Sequence, residues 1–396
     1  MKSPANIQRN PQVLCAAAAL YLSIALSPAA QAAPRISTIS TATVSGDMRI
    51  TLTGSGFRTG PTVVLYDTFS GGVDGQLVRN TATAGSWLRD TGPHFKSYLT
   101  DEMGFATNRV PYGSTYDDRL GQMVVALPNK TNTLFVSYSI YLPPGATYSG
   151  ASSLQTFPSE SSWKFLWAMD TEDGFGGDGH ANIILPNSNG NGNFAVDGNA
   201  GDLLQSLPPS AYHNFPVSVS GLQDFRFYWS WDQPNNIAMY LKPSLTLPLV
   251  NAGEIYWRIA NGKSKLIEQT VGVIAALPNT TGVYDIINIP GWWGNGDQTR
   301  FQAIYDNIYI AVGAVKARVE LTDASTYANS TKVYPVPYVQ WSDGTIVLSA
   351  NQINLKSLTN YYVYVTDDTG ARSTGLKVCN GCTVTTPNPP TNAATR

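Results

Sequence analysis

From Pro34 to Val378 the chain repeats one pattern: short alternations of apolar and polar residues, broken by Gly, Asn, Asp and Pro. A period of two places successive side chains on opposite faces of a strand, so each run predicts a half-buried β-strand. Ile50 and Leu52 alternate with Thr51 and Thr53. Val136, Tyr138, Ile140 and Leu142 oppose Ser137, Ser139 and Tyr141. Trp163, Phe165, Trp167 and Met169 oppose Lys164, Leu166, Ala168 and Asp170. Phe225, Phe227, Trp229 and Trp231 oppose Arg226, Tyr228, Ser230 and Asp232. Ile255, Trp257 and Ile259 oppose Tyr256 and Arg258, Ile346 and Leu348 mark another strand, and Tyr361, Val363 and Val365 alternate with Tyr362, Tyr364 and Thr366. The large-apolar faces are expected in a core and the polar or mixed faces in water. The fold class that follows is all-β.

The two ends of this array complement each other. PRISTISTATVSGDMRITLTGSGF begins at Pro34; ARVELTD, VQWSDGTIVLSA and NYYVYVTDDTGARS lie beyond Ala317. Each is an incomplete set of strands. Together they resemble an immunoglobulin-like TIG (IPT) domain divided in two, with the TGSGF corner as the most specific element. Between them lies a segment that opens with Val63-Val64-Leu65-Tyr66-Asp67 and closes with Asp306-Asn307-Ile308-Tyr309-Ile310-Ala311-Val312. An inserted domain needs neighbouring ends, which antiparallel pairing of its first and last strands supplies. Its YDTF and YDNIYIAVG stretches resemble the concanavalin-A-like lectin and glucanase jelly rolls. The predicted organisation is residues 1–32 a signal peptide, 33–60 and 315–382 the two parts of a TIG-like sandwich, 61–314 a jelly-roll β-sandwich, and 383–396 a disordered tail. The resemblance implies a bacterial exported protein.

Lys2 and Arg9, the apolar run Leu14–Leu26 and the small-x-small site Ala30-Gln31-Ala32 have the outline of an export signal. The run is shorter than the ~20 residues a membrane span needs. Export sets the chemistry of Cys379 and Cys382, which remain once Cys15 is removed with the signal. In C-N-G-C, Asn380-Gly381 is a turn former, so a small disulfide loop is the simplest reading in an oxidising compartment. A redox pair would need a thioredoxin-like βαβ context, and zinc two further ligands. Charged residues make up 13% of the chain and the formal net charge is −2, with no basic patch, which argues against nucleic acid as a partner.

The expected partner is a polysaccharide. The jelly-roll resemblance implies that the solvated face of a curved sheet is a glycan groove, which puts Arg226, Tyr228, Asp232, Tyr256 and Arg258 there with Lys164 beside them. Paired arginines suit a uronate carboxylate and tyrosines suit sugar rings. An ordinary wet sheet face is the competing reading. Trp292 and Trp293 in GWWGNGDQ either grip a sugar ring or plug the end of the sandwich. For catalysis, a lyase needs a carboxylate neutraliser and a base, and Tyr228, His180 and Asp232 are the candidates; His180 is expected in the glycine-rich loop DTEDGFGGDGH. His94 and His213 complete the histidines. The strand motifs a jelly-roll lyase implies (R-x-E-x-R, Q-x-H, Y-x-K-x-G-x-Y) are absent, as are E-x-D-x-x-E of the glucanases and a G-x-S-x-G elbow. No cofactor is required. A structural calcium is one reading of Asp67 with Asp306, or of Asp170, Asp173 and Asp178; turn capping is the other. Glycan binding without catalysis is the first functional expectation. A polysaccharide-degrading enzyme, lyase before hydrolase, is the second, and a surface adhesion protein the third.

Overall fold

The computed structural model describes residues 32–78, 81–90, 95–99, 102–108, 123–141, 163–169, 180–185, 195–198, 228–230, 232–242, 253–273, 284–289, 302–353, 355, 357–378 and 383–385. Arg35–Val44 and Asp47–Ser55 form a hairpin whose connection, Ser45-Gly46, has φ values of 50° and 81°. Two successive positive φ angles give the mirror-image turn whose twist matches that of paired strands. The next partner comes from far along the chain. Thr345–Ser349 pairs antiparallel with Asp47–Ser55, with Leu348 opposite Ile50 and Ile346 opposite Leu52.

With Gln340–Trp341 and Thr383–Thr385 this sheet has five strands over the described residues. A four-stranded sheet of Val333–Val336, Arg318–Thr322, Tyr362–Thr366 and Leu376–Lys377 packs on it. Their shared core joins Ile36, Ile39, Ile50, Leu52 and Phe57 to Val319, Leu321, Ile346, Leu348, Val363 and Val365. One small immunoglobulin-like sandwich is therefore assembled from segments some 270 residues apart, a separation comparable to the 287 between Tyr66 and its hydrogen-bond partner Ile353.

Thr62–Asp67 leaves this sandwich and Gln302–Val312 returns to it, and the two pair antiparallel with Thr62 opposite Val312. They belong to an eight-stranded sheet that runs from Lys265–Val273 through Gly253–Asn261, Asn235–Lys242 and Leu134–Tyr141 to Gln302–Val312, and on to Glu102–Asn108 and Phe95–Leu99. A six-stranded sheet faces it, in the order Ala195–Gly198, His180–Leu185, Trp163–Met169, Tyr284–Ile289, Met123–Thr131, Arg89–Asp90. Val136, Tyr138, Ile140, Met239, Trp257, Ile259 and Ile310 meet Met123, Val125, Leu166, Ala168, Ile287 and Ile289 in the core of this larger sandwich. Both sheet pairs are antiparallel throughout.

Three expectations are corrected here. The strand expected over Phe225–Asp232 is, at 228–230, a turn. The Asn235 carboxamide closes it, accepting from Ser230 N at 2.8 Å and donating to Ser230 O at 2.8 Å, and the strand that follows is Asn235–Lys242. Trp163–Met169 is turned over: Leu166 and Ala168 occupy the core, so the pleat puts positions 167 and 169 on the other face, and a register shift between Leu166 and Lys164 breaks the alternation before them. Both faces of that strand are apolar enough to be buried, and alternation alone does not orient such a strand.

The largest correction concerns the outer face of the eight-stranded sheet. It is covered, not wet. Ser137, Ser139, Asn236, Tyr240, Tyr256 and Arg258 are all buried. The four-stranded sheet of the small sandwich lies over them, with Val333, Tyr327 and Tyr364 packed on Ala260 and Leu266. Most of the polar groups trapped at this junction are satisfied, as burial requires, with Arg258 Nε an exception. Asn236 donates to Ser139 Oγ at 3.0 Å and accepts from Val333 N at 2.8 Å, while Ser137 Oγ donates to Ile237 O at 2.9 Å. The molecule is thus a stack of four sheets: six-stranded, eight-stranded, four-stranded, five-stranded.

Candidate functional site

At the centre of the covered face is a charge network. Arg258, fully buried, donates through Nη1 to Glu320 Oε1 and, at 3.0 Å, to the Tyr327 hydroxyl. Glu320 also accepts from Arg318 Nε at 2.8 Å and from the Tyr327 hydroxyl at 2.7 Å. Tyr256 donates to Glu268 Oε2 at 2.8 Å, and Arg372 clasps both Glu268 oxygens at 2.8 and 2.9 Å. The Arg372 guanidinium lies 3.5 Å from the centre of the Tyr327 ring.

Burial alone would raise the Glu320 carboxyl, but Arg318 and then Arg258 outweigh it and hold it far below the usual carboxylate range. Burial, reinforced by Glu268, pushes the Tyr256 phenol well above its ordinary value, and burial with Glu320 raises Tyr327. Both phenols therefore keep their protons near neutral pH and act as donors, not bases. Arg258 and Tyr256, expected in an open glycan groove, are instead interior ties between two sandwiches. The sequence did carry a signal for this. In ARVEL, Arg318 and Glu320 share the face opposite Val319 and Leu321, and opposite charges two residues apart on a strand that is buried on both sides must be paired.

The remaining expected site residues are dispersed. Tyr228 is half-buried against the core of the larger sandwich, and its carbonyl accepts from Asn261 Nδ2 at 2.6 Å. Asp232 is exposed; after burial, its charge is the second cause that raises the Tyr141 phenol. His180 lies in the other sheet, as the first residue of the strand His180–Leu185 and not in a loop. Arg226, Trp292, Trp293, His94, His213, Asp170, Asp173, Asp178, Cys379 and Cys382 lie outside the described residues.

Asp67 and Asp306 are both buried, but they do not pair: Asp67 is opposite Ile308, and Asp306 is opposite Ser139. Asp67 accepts from Phe69 N at 2.6 Å, from Trp87 Nε1 at 2.6 Å and from Thr81 Oγ1. Those donors occupy the lone pairs that a calcium ion would need and themselves repel a cation, so this carboxylate holds a turn in place. Among the described residues no group of three His, Cys, Asp or Glu is arranged to hold a metal ion.

Burial lifts the Asp67 carboxyl to about 6, against the opposing pull of its three donors. The unfolded chain then releases this proton first. Stability is expected to fall as pH rises from about 4 to 6, by on the order of 3 kcal/mol at most, and to be flat above. Chemical denaturation across that range checks this: Asp67→Asn should remove the slope.

The outer face of the six-stranded sheet is turned away from the small sandwich; of its outward positions, Val124, Ile286 and Asn288 are buried and Ala126 is exposed. Its register is fixed by pairing. Val124, Asn288, Trp167, Asn182 and Asp197 stand in one cross-strand row, and Arg89 extends it beyond Val124. Ile286, Met169 and His180 stand in the adjacent row. Neighbouring strands lie ~4.8 Å apart, so such a row brings one aromatic and three polar positions to within a sugar's length of each other. Asn288 is itself buried. Of this row, alternation placed Trp167 on the wrong face and passed over Asn182, Asp197 and Asn288, because a cross-strand row exists only once strand order is known.

No family model and no curated protein matches this sequence. Solved structures similar to it include the alginate lyase vAL-1 from Chlorella virus, at TM-score 0.35 and 12% identity over 56% of this chain and 89% of that one. The alginate lyase Aly36B is similar at TM-score 0.36 and 9% identity, over 64% and 97%. The catalytic domain of a GH131 β-glucanase from Podospora anserina is similar at TM-score 0.32 and 10% identity, over 64% and 96%. Likenesses at these scores carry no argument about what this chain binds or does. Among the described residues no helix is long and apolar enough to cross a membrane.

Proposed function

We propose that this is an exported protein that engages a polysaccharide across the outer face of its six-stranded sheet, with a TIG-like small sandwich bracing the opposite side. The observation that carries the reading is the row Trp167–Asn182–Asp197, which continues from the buried Asn288 on the sheet face turned away from the small sandwich. An indole offers a flat apolar surface for a sugar ring, and carboxamides both donate to and accept from hydroxyls.

One observation favours a catalytic version. His180 shares this face with Asn182, two residues away. Imidazole changes protonation near neutral pH and is suited to abstract a proton from carbon, while a carboxamide can stabilise the enolate that results. That is the pairing a polysaccharide lyase needs. Tyr228 and Asp232 precede the strand Asn235–Lys242 of the other sheet and have no part in it.

The test is retention of the protein on a panel of immobilised neutral and acidic polysaccharides, with product analysis on the same samples. Wild type is expected to bind one class. Trp167→Ala and Asn182→Ala should each weaken binding at least ~10-fold, equivalent to ~1.4 kcal/mol, while Lys377→Ala on the small sandwich should not. Unsaturated uronate products that vanish in His180→Ala, with binding retained, establish the lyase version. Unchanged binding by both the Trp167 and Asn182 variants overturns the assignment of the face.

A further inference from the structure

A cleft of about 220 Å³ opens where the edge of the eight-stranded sheet meets the small sandwich, and it is distinct from the polysaccharide face. Tyr240 and Tyr256 form one wall, their rings 5.1 Å apart and inclined by 10°. Lys316 and Arg318 lie against these rings, with Lys316 Nζ 5.7 Å from the centre of the Tyr240 ring and the Arg318 guanidinium 5.2 Å from that of Tyr256. Thr270 and Thr366 add hydroxyls. The charges around it do not balance. Arg258, Lys316, Arg318 and Arg372 are held by Glu254, Glu268 and Glu320, with one carboxylate, Glu320, serving both Arg258 and Arg318. Among the described residues of this network there is one more cation than carboxylate.

A surplus positive charge at a partly buried junction is costly unless an anion sits nearby. The cleft places two tyrosine rings, hydroxyls, the cations Lys316, Arg318 and Arg372 and one carboxylate, Glu268, around one space. We propose that it binds a small hydroxylated carboxylate, one sugar acid or hydroxy acid in size. The carboxylate would face Lys316 and Arg318, and its hydroxyls would meet Thr270, Thr366 and the tyrosines. Because residues from both sandwiches line the cleft, bound ligand would tighten their junction.

Calorimetric titration and thermal denaturation of the full chain with D-glucuronate test this, with D-glucose and inorganic phosphate as the other arms. Glucuronate is expected to release heat and raise the melting temperature; glucose, which lacks the charge, and phosphate, which lacks the ring and hydroxyls, should do neither at the same concentration. Lys316→Gln, at a side chain that is partly exposed, should weaken glucuronate binding at least ~10-fold. Thr270→Val gives a second readout at the exposed rim and should weaken binding without changing the melting temperature of the free protein. No response to glucuronate, an equal response to glucose or phosphate, or full binding by both variants overturns the proposal. Trp167→Ala should leave glucuronate binding intact, which separates this site from the polysaccharide face.

Discussion

Replacing Glu320 by glutamine is expected to destabilise the protein by about 3–5 kcal/mol, the usual cost of removing one partner from a buried ion pair. Glu320 is fully buried and is the single carboxylate bonded to two buried guanidinium groups, those of Arg258 and Arg318. Without it, two like charges face each other in the interior with no counter-charge between them. The loss should appear in urea denaturation as a lower midpoint at unchanged slope. A companion variant decides the cause. Combining Arg258→Met and Arg318→Met with Glu320→Leu removes all three charges and should recover much of the loss, because apolar packing replaces a desolvated ion triad at little cost. If glutamine at 320 is tolerated within about 0.5 kcal/mol, the scale of a surface substitution, the network is not what joins the sandwiches.

The same residue sets an acid limit. Its carboxyl is held far below the usual range by Arg318 and Arg258. A carboxyl that is depressed in the folded state contributes fully above its unfolded value, and that contribution drains away as pH falls toward the folded one. The Glu320 contribution should therefore be intact at neutral pH and decline below about 4.5, opposite in sign to the contribution of Asp67.

Phe57→Ala is expected to be the other severe change, at about 3–5 kcal/mol for emptying a buried phenylalanine site. Phe57 is fully buried and sits after the corner at Gly54 and Gly56. Gly56 holds φ at 72°, and a Cβ on Gly54 would overlap the Arg35 carbonyl oxygen, so the corner requires both glycines. The ring packs with Ile346, Leu348 and Val365 from the far end of the chain. It therefore closes a sandwich whose halves meet only after the larger domain is threaded between them. Because the charge network ties that sandwich to the larger one, tryptophan fluorescence and far-ultraviolet dichroism should report one shared transition, shifted as a whole in the variant. Separate transitions would show that the two sandwiches unfold independently.

How much of this was legible in the chain differs from strand to strand. Ile50, Leu52, Val136, Tyr138, Trp257, Ile346, Leu348, Val363 and Val365 all lie in a core, as their alternation predicts. The pairing of the first and last strands of the middle segment followed from the need of an insertion for neighbouring ends, and Thr62 does lie opposite Val312. Trp163–Met169 failed because both of its faces are apolar, and the core took the smaller Leu166 and Ala168.

Local periodicity by itself determined that the chain is all-β and which face of most strands differs from the other, while the joining of the outer segments came from their resemblance to a divided TIG domain. Periodicity did so because side-chain direction along a strand depends only on the pleat of the backbone. Whether a polar face meets water or another sheet was decided by tertiary structure alone. Arg258 reads as a groove residue until Glu320, sixty-two positions away, is set against it. Solvation belongs to the assembled surface, and no short stretch of chain contains the partner that removes its water.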